Sequence, residues 1–319
     1  MRPTFKAFQQ TETPSPRQGE SWNGGRTLDI ESIYPLPKPP PARGSEFQAG
    51  FTLVEMVVVI TIVGILAAGA ALFIRNPTQA FIDSENRANL TDRADTALRR
   101  MASDIRNALP NSVRATTNGV NSFIEFVPVK AAGRYRASAG SSLADNPLDF
   151  DHVASAADPE TFDVLGAKVN VDAGDQLVIY NLGIVGSDVY ENTANSNRHT
   201  LETTGLLGTL SFSGGTFPLA SPSSRFFVVS TPVSYVCDMA NNVLLRYSGY
   251  AIQANQPTTV AALNGLGTAR ILANGLTTCQ VNYVPGVLQR SGVITINLGF
   301  TQDVATVTLM HQVNVVNSP

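Results

Sequence analysis

The sequence predicts an α+β chain in which a long amino-terminal helix packs on an antiparallel β-sheet domain. Three observations carry this. Residues 51–74 form a nearly unbroken apolar run, and a stripe at helical spacing follows from residue 81 to residue 109. From about residue 121 onward the pattern changes to short runs of β-branched and aromatic residues. A helix first and strands afterwards argue for segregated layers rather than alternating βαβ units.

The apolar run comes first. Phe51 to Ile74 is 24 residues, interrupted only by Thr52, Glu55 and Thr61. At ~1.5 Å per residue such a helix rises about 36 Å, enough to cross a hydrocarbon core of roughly 30 Å. A lone carboxylate in a membrane-length helix is costly, so Glu55 is expected to have a task and a partner. Gly64 with Ala68, and Ala67 with Ala71, place small residues four apart, the spacing that lets helices approach closely in lipid. A plain single-pass anchor with Ala and Gly as filler is the alternative. Ala68-Gly69-Ala70 also has the form of a secretory cleavage site, but the long mixed-charge stretch ahead of it and the position of Glu55 count against that.

The second half of the spine follows Pro77, a residue expected to kink or restart the helix. Phe81, Ala88, Ala94, Leu98, Met101, Ile105 and Leu109 recur at steps of three, four or seven, with Asp92, Arg93, Arg99, Arg100 and Arg106 on the other faces. The helix is expected to end at Leu109-Pro110-Asn111. An independent surface helix would show the same pattern as one continuous with the apolar run.

Strands are expected at 123–127, 176–180, 225–229, 233–236, 243–252, 280–284, 293–300 and 304–315. In the last, Val307, Leu309, His311, Val313 and Val315 share one face. Residues 136–175 and 186–224, rich in Gly, Ser, Asn and Asp, read as long loops or inserts.

Composition narrows the chemistry. Charged residues are 15% of the 319, below the roughly 25% of a usual soluble domain, and the formal net charge is −3. No basic field invites nucleic acid. Three His and two Cys are too few for a Cys/His metal centre, so no cofactor and no catalytic role are expected. Asp145-Asn146-Pro147-Leu148-Asp149-Phe150-Asp151 gathers oxygen ligands of the kind calcium takes, but a solvated Asx-rich turn is the preferred reading. His311, among Val and Leu, reads as a hydrogen-bonded core histidine, while His152 and His199 fall in the expected loops. Nothing places a Ser, a His and an Asp together.

Gly50-Phe51-Thr52-Leu53-Val54-Glu55 stands directly ahead of the apolar run. This string resembles the processing and methylation signature of type IV pilins and of the pseudopilins of type II secretion. The resemblance implies a pilin-like fold and a division into four parts. Residues 1–50 are a leader removed by a prepilin peptidase, 51–74 a transmembrane helix, 75–110 its amphipathic continuation, and 111–319 a β-rich periplasmic or extracellular domain. It further implies cleavage after Gly50, N-methylation of Phe51, and pairing of Glu55 with the terminal amine of a neighbouring Phe51. The expected partners are the peptidase, the inner-membrane assembly machinery, membrane lipid, and other pilins through their amino-terminal helices. The chain would be a single-pass inner-membrane protein that enters a pilus or pseudopilus. Its leader departs from the family pattern: it is long, of mixed charge, and Pro-rich from Pro35 to Pro41.

Export would place Cys237 and Cys279 in an oxidising compartment, where a disulfide between them is expected, worth about 4 kcal/mol by loop-closure entropy. Two buried free thiols are the alternative. In patches the chain is similar to minor pilins of mannose-sensitive haemagglutinin (MSHA) pili: Asp95 to Arg100, Leu109 to Arg114, Phe126 to Lys130 with Gly133 to Arg136, Thr231 to Asp238, and His311 to Val315. The J-type minor pseudopilin of type II secretion has a similar layout. A pilus-tip module that binds a surface through its loops is a third reading.

Overall fold

The computed structural model describes residues 50–319 except 143, 194 and 287–289, and leaves the side chains of residues 72 and 74–77 undescribed. The expected leader, apart from Gly50, lies outside the described residues. The chain divides into a unit ending at Ile62 and a second from Val63 to Pro319.

The helix α1 (Leu53–Arg106) runs unbroken through residue 77. A proline inside a helix loses one backbone hydrogen bond and can be carried by those around it, so Pro77 does not restart the helix. α1 stops one turn earlier than its apolar period suggests. Beyond Arg106 the backbone turns to a strand end: the Leu109 amide donates to the Val127 carbonyl at 2.8 Å, and the Val129 amide to the Asn107 carbonyl at 2.8 Å.

Strands follow in the order β1 (Arg114–Asn118), β2 (Asn121–Phe126), β3 (Val129–Tyr135), β4 (Glu160–Leu165), β5 (Val169–Val171), β6 (Gln176–Val178), β7 (Arg198–Leu201), β8 (Gly205–Leu207), β9 (Thr209–Ser213), β10 (Arg225–Val229), β11 (Val233–Asp238) and β12 (Val243–Ser248). A short helix, α2 (Val260–Leu266), precedes β13 (Thr268–Asn274), β14 (Leu276–Val284), β15 (Gly292–Gln302) and β16 (Ala305–Val315). Every strand pairing is antiparallel. The α+β arrangement is as expected.

These strands build three main bodies within the second unit. A five-stranded sheet has the order β1-β2-β11-β12-β13, and a three-stranded sheet the order β14-β15-β16. The amphipathic part of α1 is buried by both: Leu90, Ala94, Leu98, Met101 and Ile105 pack with Phe126 and Tyr235 of the first and Ile296 and Phe300 of the second. The other face of the five-stranded sheet is covered too, where Phe123, Val236 and Tyr247 meet Leu263 of α2. A strand buried on both faces has no need of polar alternation, which is why β2 and β11 carry apolar residues on both faces, Phe123 with Ile124 and Tyr235 with Val236.

The third body corrects the sequence reading. Residues 136–175 and 186–224 are not long loops. They supply β4, β7 and β9, which close a six-stranded barrel with β3, β6 and β10 in the order β10-β3-β4-β9-β7-β6, and they also supply the pair β5-β8. The barrel lies wholly between β2 and β11 in sequence, while β2 and β11 pair directly with each other. Its strands are short, three to seven residues, and separated by Gly, Asn and Asp turns, so their polarity per window is that of a loop. The interior is aromatic: Phe162 lies edge-on to Phe226 at 5.6 Å and to Phe212 at 6.4 Å. Gly133 sits opposite Phe226 in the ladder, and a Cβ there would come within 2.6 Å of the Phe226 ring.

Candidate functional site

Local geometry at the start of α1 is set by Thr52. Its carbonyl accepts the Met56 amide at 3.1 Å, and its hydroxyl accepts the Glu55 amide at 3.2 Å. Thr52 is therefore the N-cap, and Thr-Leu-Val-Glu has the spacing of a capping box, with Glu55 at the third helical position. This signal was present in the sequence and is distinct from the membrane argument. A carboxylate in the first turn also faces the positive end of the helix dipole. Among the described residues the Glu55 side chain takes no hydrogen bond or ion pair, so its charge is available to a donor from outside.

The helix that Glu55 opens is bare. Leu53–Ala71 is long and apolar enough to cross a membrane by length and composition, and none of it is buried in the protein. Phe51 is 82% exposed, and Gly50 lies just ahead of it, exposed and outside the helix. The one internal hydroxyl, Thr61, is satisfied by its own helix, donating to the Val57 and Val58 carbonyls at 3.0 and 2.8 Å. That is what a polar side chain in lipid requires. Around Gly64 and Gly69 there is open space, so a second helix could approach.

The remaining candidates lie in the globular part. Cys237 on β11 and Cys279 on β14 are joined by a disulfide, with Cα atoms 6.3 Å apart. It ties the five-stranded sheet to the three-stranded one beside the buried face of α1.

The Asp145–Asp151 cluster is occupied by its own loop. Arg136 pairs with Asp145 at 3.2 Å and with Asp163 at 3.3 Å. The Asp151 amide donates to Asp149 at 2.8 Å, an Asx turn, and the Asp149 amide to Glu160 at 3.0 Å. Burial pushes the Glu160 carboxyl up, against the Asp149 amide and His152, which lower it. No group of three or more His, Cys, Asp or Glu is arranged to hold a metal among the described residues.

Two histidine expectations need correction. His199 is not in a loop: it is buried on β7, stacked on Phe212 at 5.5 Å, with Nε2 at 3.0 Å from the Thr216 carbonyl. Burial holds its pKa below the ordinary histidine value. His311 is on the expected face of β16, but it is only half-buried and its Nε2 is enclosed without a hydrogen-bond partner. β16 is the outermost strand of its sheet. His152 is in a loop, as expected, 3.7 Å from Asp158 and 3.9 Å from Glu160.

One buried charged site had no forewarning in the sequence. Glu125 on β2 is fully buried and pairs with Arg114 on β1 at 2.9 Å. Tyr250 donates to Glu125 at 3.1 Å, and Arg114 lies over the Tyr190 ring at 3.6 Å. Arg114 also donates to the Gln253 and Ala254 carbonyls. Burial raises the Glu125 carboxyl, and Arg114 opposes the rise. The cluster pins β1, the segment after β12 and the loop ahead of β7 to one another. Its groups are all paired within the protein, which suits a structural role.

Comparison with known proteins agrees with the amino-terminal site. Residues 47–71 match the prokaryotic N-terminal methylation motif. No curated protein and no solved structure matches the chain. The matched stretch holds Gly50, Phe51, Thr52 and Glu55 and the exposed apolar helix behind them. The chain thus carries the amino-terminal motif of type IV pilin-like proteins on an α+β fold, which fits a single-pass, membrane-anchored structural subunit of the pilin and pseudopilin kind.

Proposed function

We propose that the chain is a minor pilin of an MSHA-like type IV pilus, of the MshO kind, acting as a structural or priming subunit in filament assembly. A prepilin peptidase removes residues 1–50 and methylates Phe51, and the inner-membrane machinery then draws the subunit from lipid into the filament. The domain beyond residue 110 lies on the periplasmic side. The observation that carries this reading is the capped, wholly exposed apolar helix that begins three residues after Gly50. Such a surface is costly in water and needs lipid or neighbouring helices around it. Glu55 has two tasks here. It favours its own helix start, and its charge pairs with the terminal amine of a neighbour's Phe51. In a low-dielectric bundle that attraction is strong and mismatched register is penalised, so the pair orders the filament more than it stabilises it.

Mass spectrometry of the intact protein from membranes tests the reading. The expected mature species begins at N-methylated Phe51, and any other start overturns it. The J-type pseudopilin reading differs in its loss-of-function effect, which is failed export of folded enzymes rather than lost pili. A tip-binding role draws support from the barrel, which contributes nothing to the packing of α1 described above. Deleting its connecting segments should then spare piliation and abolish adhesion.

A further inference from the structure

We infer that Asn274 is a site of spontaneous covalent modification, where the side-chain amide is lost and the residue becomes aspartate or isoaspartate. Asn-Gly pairs stand at 118–119, 264–265 and 274–275 among the described residues, and Asn23-Gly24 lies outside them. Glycine after asparagine leaves the next amide nitrogen unshielded, because it has no Cβ. In the reaction the Gly275 nitrogen attacks Asn274 Cγ and closes a five-membered imide. The Cγ–Nδ2 bond breaks, the departing nitrogen takes up the proton that Gly275 loses, and ammonia leaves. Water then opens the imide at either carbonyl, giving aspartate or isoaspartate. Water is the one co-reactant, and nothing is oxidised or reduced.

The fold separates the three pairs. Asn118 ends β1 in the β1–β2 hairpin, and its Nδ2 donates to the Thr258 carbonyl at 2.9 Å, so the group that must leave is held. Asn264 lies within α2 and accepts the Tyr247 hydroxyl at 2.7 Å. The amide of Gly265, which would have to attack it, belongs to the helix ladder. Asn274 has neither restraint. It is the last residue of β13, its side chain is exposed, and among the described residues no hydrogen bond takes that side chain up. The Gly275 amide donates no hydrogen bond among the described residues either, so the attacking nitrogen has none to give up.

The position gives the change a structural effect. Gly275 alone links β13 of the five-stranded sheet to β14 of the three-stranded one. Its φ is 81°, a value glycine takes readily. Its carbonyl accepts the Thr301 amide at 3.0 Å, and the Leu276 amide beside it donates to the Asn242 carbonyl at 2.9 Å. Both products place a negative charge at the end of β13. Isoaspartate also inserts one methylene into the main chain directly ahead of this one-residue link. The Cys237–Cys279 bond spans the same point, so the two sheets stay joined while the link between them lengthens. None of this depends on the pilus reading.

Peptide mapping by mass spectrometry tests this on the full-length chain in detergent micelles, sampled through a long incubation at mildly alkaline pH. Trypsin separates the three pairs into peptides 115–130, 247–270 and 271–290, and electron-transfer fragmentation tells aspartate from isoaspartate. In the folded chain Asn274 should convert at least ~5-fold faster than Asn118, the worth of one net hydrogen bond. It should convert at least ~10-fold faster than Asn264, which reacts only when its helix opens. In urea the three rates should converge to within ~3-fold, because glycine follows each asparagine and the folded restraints are gone. Asn118 or Asn264 converting as fast as Asn274 in the folded chain would overturn the inference. So would a preference for Asn274 that persists in urea, which would assign it to the neighbouring sequence, or an Asn274 still intact at the end of the incubation.

Discussion

Asp104, in the last turns of α1, accepts a 2.8 Å hydrogen bond from the Tyr235 hydroxyl at the centre of the five-stranded sheet. Arg246 donates to the same carboxylate oxygen at 2.9 Å, and Arg100 reaches the other at 3.2 Å. The helix is thus held against the sheet by a directed contact as well as by apolar burial. Burial, then the Asp104 charge, push the Tyr235 hydroxyl well above its ordinary pKa, so it remains a donor at any physiological pH. Asp104→Ala would strand a buried hydroxyl and a half-buried guanidinium, at a cost of about 2–4 kcal/mol. Urea denaturation of the purified chain should show it, and Tyr235→Phe should cost less. Equal losses in both variants would mean that Asp104 acts only through Tyr235.

Gly133→Ala should be among the most damaging small substitutions in the barrel. The added methyl meets the Phe226 ring at 2.6 Å, with Phe162 packed behind it. Overpacking of this kind costs about 1–3 kcal/mol. Gly133→Ala combined with Phe226→Leu should recover part of the loss. A thermal midpoint unchanged in the single variant would show that the barrel relaxes freely at this point.

Cys237→Ser with Cys279→Ser should lower stability by about 2–4 kcal/mol. The bond closes a loop with a sequence separation of 42 and bridges two sheets. Denaturant midpoints with and without reductant measure the effect. Cleavage after Gly50 should be untouched, because the cut lies outside the loop that the bond closes.

His199 sets a pH dependence of definite sign. Its folded pKa lies below the unfolded value of 6.5, so between the two the unfolded chain binds more protons. The stability it contributes is present above the unfolded value and is lost as pH falls through it toward the folded one. Glu125 and Glu160 act oppositely: their folded pKa values are raised, so their contribution is present below 4.5 and lost as pH rises. The informative measurement is therefore a difference. Between pH 7.5 and 5, wild type should lose more stability than His199→Gln. Parallel curves would show that the imidazole protonates without strain.

At the amino terminus, Gly50→Val should leave unprocessed precursor on membranes. Glu55→Ala should be cut normally and enter filaments poorly. A gel shift for the first and immunoblots of sheared pili for the second report the outcomes. Glu55→Gln separates the two tasks of the residue, since Gln also suits the third position after a Thr N-cap while it removes the charge. If Glu55→Gln assembles like wild type, capping rather than charge pairing is what assembly needs.

Which features could be read in advance follows from how far each residue's environment is local. The helix was legible because its apolar period is local, and so was β16, whose alternation is unbroken from Val307 to Val315. The end of α1 was misplaced because Leu109 is apolar but buried by the strand end at Val127, a contact with no local signal. The barrel was hidden for a related reason. Its strands are short, and each becomes a strand only when a distant one pairs with it, as Leu201 does with Phe212. At the candidate site, Gly50, Phe51 and Glu55 were visible as a motif. The capping role of Thr52 was missed, although its Thr-x-x-Glu spacing is a recognised helix start. The Arg114–Glu125 pair joins residues eleven apart across a hairpin, and nothing in the sequence marks it as buried.

The position of the barrel in the chain has a consequence of its own. Phe126 and Val233 stand opposite each other in the β2–β11 ladder, so the whole stretch between them leaves and returns at one point. Its two ends are as close as neighbouring strands permit, about 5 Å. A tight turn joining these residues would restore a plain hairpin and keep the apolar face that buries α1, but it would lose the bonds that Val127 and Val129 make to the end of the helix and the ring that Tyr190 lays against Arg114. The stretch is thus one insertion, entered and left between two paired strands, whose length and tip can vary so long as its base keeps its hold on residues 107–114.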